Sequence, residues 1–189
     1  MKPATRLPFA PNRFRAYEID RLQRERHIAL IHGFLQHTRR MTGSVWATPV
    51  ESLYQELTLP KPAPASVVAA AVTARMGIAL LIKTLAVVGN RNSFEGDRDK
   101  LKTLTEAAQR ESSKLAEVAE DDVTGAPERK RSEVPMNAAL AAEAALVLCA
   151  EARAIATGSV AVDIEVAVLL LTAAHRSVLI CVGSNLRET

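Results

Sequence analysis

Aromatic residues are scarce, 4% of 189 positions, and glycine occurs only eight times. Pleated sheet faces favour aromatic and β-branched side chains, and a many-turned sandwich consumes glycine, so β-rich architectures are excluded. Cysteine is equally sparse. Cys149 and Cys181 sit inside apolar runs with no CxxC spacing, which reads as two buried reduced thiols rather than a disulfide framework or metal site. The amino terminus begins with Lys2 and Arg6 and lacks the apolar stretch of a signal peptide. Arg75 and Lys83 interrupt the apolar window over residues 62–90, and Asp163, Glu165 and Arg176 interrupt that over 160–186. No membrane span is therefore expected, and the chain reads as soluble and cytoplasmic. What the sequence does have is aliphatic bulk: hydrophobic residues reach 48%, dominated by Ala, Val and Leu. Small side chains in that quantity suit close-packed helices, and an all-α bundle is expected.

A net charge of +3 conceals an asymmetry: residues 1–40 carry nine Lys/Arg against three acids, +6, leaving −3 for the rest. A basic arm could engage nucleic acid or an anionic ligand. No zinc knuckle or RNA-binding aromatic box accompanies the charge, so a solvated helix docked on a partner subunit is the preferred reading, with no nucleic-acid partner. Domain organisation follows: a basic arm with a helix over residues 1–44, and a helical domain over 45–189.

Within the arm, the periodicity predicts a helix over 17–39. Its histidines, His27, His32 and His37, recur every five residues, turning about 140° per step, so they share no face and build no metal site. Thr48-Pro49-Val50-Glu51 reads as a capping box opening a short helix to Leu57. An apolar helix then runs from Ser66 to Val88, its complete perimeter implying burial on most sides. An amphipathic helix covers 97–122, a second Ala-rich helix 136–157, and a last helix 160–182 after Gly158-Ser159. About six helices result, with the two Ala-rich ones central.

Helical phase also selects carboxylates. On the amphipathic helix Leu104, Ala108, Leu115 and Val118 form an inward stripe, and Asp122, not Asp121, continues it. On the last helix Val166, Ala167, Leu170, Ala174 and Cys181 line up with Asp163, while Glu165, Thr172 and Arg176 form the solvent edge. Burying a carboxylate is costly unless it is paired or protonated, so inward acids are candidates for chemistry. Asp163 in a first turn has a structural explanation in the helix dipole; Asp122 near a carboxyl end does not.

Several motifs carry a resemblance. They are Ala63-Pro64-Ala65-Ser66 leading an Ala-rich helix, and the acid-rich turn Glu120-Asp121-Asp122-Val123-Thr124-Gly125. Val134-Pro135 then opens the second Ala-rich helix, Gly158-Ser159 precedes Asp163, and Asn185-Leu186 closes the run. Residues 49–185 resemble the cyclodeaminase/cyclohydrolase family, which includes the carboxyl-terminal domain of formiminotransferase-cyclodeaminase and bacterial methenyltetrahydrofolate cyclohydrolases. The resemblance implies an all-α homodimer acting on a small-molecule substrate, a one-carbon (formimino or methenyl) derivative of tetrahydrofolate, with no cofactor or metal. It implies catalytic roles for Asp122 and Asp163, and substrate-binding roles for Ser66, Ser159 and Asn185. The acid–base reading requires the two carboxylates to converge in one apolar crevice. The chain departs from the family where a glycine run is replaced by Pro62-Ala63-Pro64-Ala65, an aromatic by Ala126, and an Asn by Ser159. Those changes keep a second reading open: a diverged homologue without folate activity, catalysing another cyclisation or serving as a ligand-binding or partner subunit.

Overall fold

The computed structural model describes residues 44–60, 65–92, 94–125 and 133–187, so the expected helix over 17–39 and its histidines lie outside the described residues. Ser44 is the first of the described residues. Its Oγ accepts the Trp46 N–H at 3.1 Å and folds Val45–Ala47 into a 3-10 turn. Thr48 donates its hydroxyl back to the Ser44 carbonyl at 3.1 Å, so the expected capping role of Thr48 is not realised. Pro49 is instead the cap of α1, Val50–Thr58, because the preceding tight turn has already claimed the threonine.

Four long helices follow: α2 (Ser66–Gly89), α3 (Arg98–Thr124), α4 (Glu133–Arg153) and α5 (Ser159–Asn185). All described regular structure is helical, with no strand among the described residues. The α3 start is specified locally, since the Asp97 carboxylate accepts the Asp99 and Lys100 N–H groups at 2.9 and 3.0 Å. Pro135 falls inside the first turn of α4, where its missing N–H has no intrahelical partner to lose, so this helix opens earlier than 136. It also ends earlier than expected, at Arg153, followed by a turn at Ala154 and Ile155. Gly158, at φ 67°, caps α5 in a backbone region closed to other residues.

The helices form a closed ring in which α2 packs on α3 and α5, and α4 packs on the same two. The Ala-rich helices α2 and α4 thus lie diagonally, each touching both other walls. Neighbours run antiparallel. Arg75 Nε donates to Ser112 Oγ at 3.1 Å while Gly89 abuts Leu101, and Thr84 meets Val160 while Ser66 meets Cys181. Ile78, Leu81, Leu85, Leu115, Ile164 and Leu171 are fully enclosed at the centre. Gly77 allows the tightest approach, because a methyl there would stand 3.0 Å from both the Ala167 carbonyl and the Leu171 side chain. On the outside, Arg75 stacks over Trp46 at 4.0 Å and the indole N–H donates to the Ala116 carbonyl at 3.1 Å, pinning the 3-10 turn to the α2–α3 wall.

Helix α2 is buried or half-buried at most of its positions, with Met76 and Val87 on an exposed edge. One expectation about apolar surface needs correcting. Single charges fail to rule out spanning lengths: α2, α4 and α5 are each long and apolar enough to cross a membrane, with windows of mean hydropathy 1.8, 1.4 and 1.9.

Candidate functional site

The antiparallel ring gathers the start of α2, the end of α3, the start of α4 and the end of α5 at one end of the bundle. Three of the expected site residues fall there. Asp122 occupies the last turn of α3 and is 8% exposed, whereas Asp121 is only half-buried, so the helical phase read from Leu115 and Val118 selects the inward-facing carboxylate. Counting back from the Arg75–Ser112 contact, Asp122 is level with the first turn of α2, where Ser66 stands. The Ser66 hydroxyl lies 3.2 Å from Cys181 Sγ on α5, one turn before Asn185, the last residue of that helix. Asp122, Ser66 and Asn185 thus share one end, under the partial positive charge of the α2 amino terminus.

Asp163 and Ser159 do not join them. Asp163 extends from the first turns of α5 to Lys83 near the end of α2, with Nζ and Oδ2 2.8 Å apart and its side chain one-quarter exposed. Lys83 is 17 residues beyond Ser66, which at 1.5 Å per residue puts the two aspartates about 25 Å apart along the bundle. The expected convergence of two acids in one crevice does not occur within a chain. Antiparallel connectivity is the reason: a residue closing one helix and a residue opening the helix after next must lie at opposite ends. Ser159 is exposed beside Gly158 at the far end.

The inward line of α5 also differs from expectation. Its buried residues are Val160, Ile164, Ala167, Leu171, Ala174 and Val178, while Val166 is turned outward. Asp163 is therefore on the flank of the packed face, where lysine and water both reach it.

One acid escaped the sequence reading although its signal was present. Positions 104, 108, 111, 115, 118 and 122 step by four and three along one face of α3, and the third is Glu111. It is 9% exposed; Oε1 accepts from Lys114 Nζ at 2.8 Å, while Oε2 is buried with no hydrogen-bond partner. Glu111 lines a groove of about 390 Å³ between α3 and α4, together with Glu117, Asp121, Asn137 and Leu140.

At the far end, the Arg153 guanidinium donates Nε–H to Glu165 Oε1 at 2.8 Å, and this ion pair pushes the arginine further towards its charged form. Burial dominates the neighbouring Cys149 and raises its thiol to about 11, against a smaller lowering by Arg153. Among the described residues no cluster of three or more His, Cys, Asp or Glu is arranged to hold a metal ion. No family model matches the chain, and no curated protein matches it.

Proposed function

We propose that the chain is an acid–base enzyme of the cyclodeaminase or cyclohydrolase type, acting on a formimino or methenyl derivative of tetrahydrofolate at the Ser66–Asp122–Asn185 end of the bundle. The observation that carries this reading is the placement of Asp122. It is buried in the last turn of a helix, where desolvation and the helix dipole both oppose a carboxylate. A buried carboxylate in that position is a candidate for acid–base chemistry, and its burial supports this reading.

In the deaminase reaction an amine nitrogen of the substrate attacks the formimino carbon, and the tetrahedral intermediate expels ammonia. Asp122 gives the proton that the departing nitrogen needs and takes up the one released by the attacking nitrogen. In the hydrolase direction water replaces ammonia and the same proton traffic serves. Ser66, opening α2, offers its hydroxyl to a carbonyl or anionic group of the substrate, aided by the helix amino terminus. Asn185 offers an amide donor and acceptor from the end of α5. Asp163, held by Lys83 at the other end, supplies no proton to this site and has a structural role.

The test is direct. Purified protein mixed with 5-formiminotetrahydrofolate is followed by the absorbance of the methenyl product. Turnover is expected, and Asp122→Asn should reduce it by about 100-fold or more with the helical circular dichroism unchanged. Absence of turnover together with absence of folate binding by calorimetry would leave the second reading, a diverged scaffold that binds another ligand or serves as a subunit. That reading draws on the separation of Asp122 from Asp163 and on the Pro62-Ala63-Pro64-Ala65 replacement of a glycine run.

A further inference from the structure

We propose that the groove between α3 and α4 binds an aliphatic polyamine, a chain of methylenes carrying ammonium groups, with Glu111 as its anchor. The groove encloses about 390 Å³. Its α3 side carries Glu111, Glu117 and Asp121, and Lys114 is the one cation among the described lining residues. An excess of negative charge in a concave site draws in cations. Glu111 adds what an exposed acidic surface lacks. It is 9% exposed, lies on the inward stripe of α3 between Ala108 and Leu115, and leaves Oε2 buried without a hydrogen-bond partner. A buried carboxylate with an unmet acceptor destabilises the fold, and a bound donor relieves that cost. The resident partner is only loosely committed. Lys114 Nζ sits 2.8 Å from Oε1, but its side chain is 59% exposed and can return to water. The terminal torsion of a glutamate is soft, so the carboxylate can turn either oxygen to an arriving ammonium.

The spacing of the acids identifies the class of cation. Glu117 follows Glu111 by six residues and Asp121 follows by four more, about 9 and 6 Å along the helix at 1.5 Å per residue. Carboxylates strung over that length do not meet on one ion. Among the described residues, moreover, no group of three or more His, Cys, Asp or Glu is arranged to hold a metal. A flexible chain with several ammonium groups meets them in turn. The rest of the lining suits the methylenes between those groups. Val118, Leu140, Ala141 and Ala144 supply apolar wall, and Leu140 is 56% exposed, so a bound chain covers a leucine that water otherwise reaches. Asn137, near the start of α4, adds an amide oxygen able to accept a further N–H. Apolar walls with a few placed polar groups are what a small-molecule site presents. The assignment is independent of the chemistry proposed for Asp122, which does not line this groove.

Calorimetric titration of the full chain with spermidine tests the assignment, with magnesium chloride as the control for simple charge. Saturable binding at one site per chain is expected, and magnesium at the same concentration should not displace it. Glu111→Gln should weaken binding by about tenfold or more. Glu111→Met separates binding from folding: it should remove saturable binding while raising the urea midpoint, opposite changes that a damaged fold would not give. Lys114→Ala, which removes the competing cation, should tighten binding by about threefold. Absence of saturable binding to the natural chain overturns the proposal. So does binding that survives Glu111→Met, which would put the polyamine elsewhere on the acidic surface. Displacement by magnesium at equal concentration would reduce the effect to general charge screening and also overturn it. The readout is binding alone, so its result stands whether or not folate turnover is found.

Discussion

Glu111 shows what a single polar atom costs inside an aliphatic wall. Its Oε2 is buried without a hydrogen-bond partner, and the Lys114 contact satisfies only the other oxygen. A buried polar group left unmade costs on the order of 1–3 kcal/mol, and replacing it with an apolar side chain of similar shape removes that penalty. Glu111→Met is therefore expected to stabilise the protein by about 1 kcal/mol in urea titration. The two thiols offer a second contrast. Cys149 is enclosed between α4 and its neighbours, whereas Cys181 is half-buried, so iodoacetamide should modify Cys181 in the folded chain and spare Cys149 until unfolding. Burial also links Cys149 to pH. An unfolded thiol loses its proton near 9.0, but the folded one holds it to about 11, so the folded state binds more protons in between. Stability that Cys149 contributes below pH 9 is expected to fall as pH rises towards 11, and Cys149→Ala should flatten that decline in thermal melts across the same range.

At the scale of the element, sequence and structure agree where chemistry is local. Asp97 caps α3, Gly158 opens α5 at a positive φ, and the stripe through Leu104, Ala108 and Leu115 sets the inward face of α3. They part where the pattern is degenerate. Helix α5 is apolar over most of its circumference, so hydrophobicity could not decide whether Val166 or Leu171 pointed inward; neighbouring helices decided for Leu171. Asp163 was misplaced for the same reason, and its distance from Asp122 depended on helix direction, which no local pattern encodes. Packing between elements also gives Gly77 its role. Alanine is the better helix former by about 1 kcal/mol, yet a methyl at this point meets a backbone carbonyl that cannot step aside. Gly77→Ala is expected to lower stability by about 1 kcal/mol, visible as a reduced denaturation midpoint.

At the scale of the whole described bundle, polar and apolar surfaces are segregated by place. One end holds Asp122 with Ser66 and Asn185, the other holds the Lys83–Asp163 and Arg153–Glu165 ion pairs, and the outer face of α5 exposes Val162, Leu169 and Ile180. The site end was legible in part, because Asp122 sits on a strongly amphipathic helix. The ion-paired end was not, because its pairings join residues 80 and 12 positions apart, Lys83 with Asp163 and Arg153 with Glu165.

The short joint between α4 and α5, residues 154–158, sets an order of events during folding. These two helices can find each other after closing a loop of only a few residues, whereas α2 must wait for its largest partner, α5, to emerge some 80 positions downstream. Contacts close in the chain form early and distant ones late. Truncations at the α4–α5 interface should slow refolding, while those at the α2–α5 contact, such as Leu171→Ala, should mainly speed unfolding. The ring is then shut last by the same close approach that Gly77 permits.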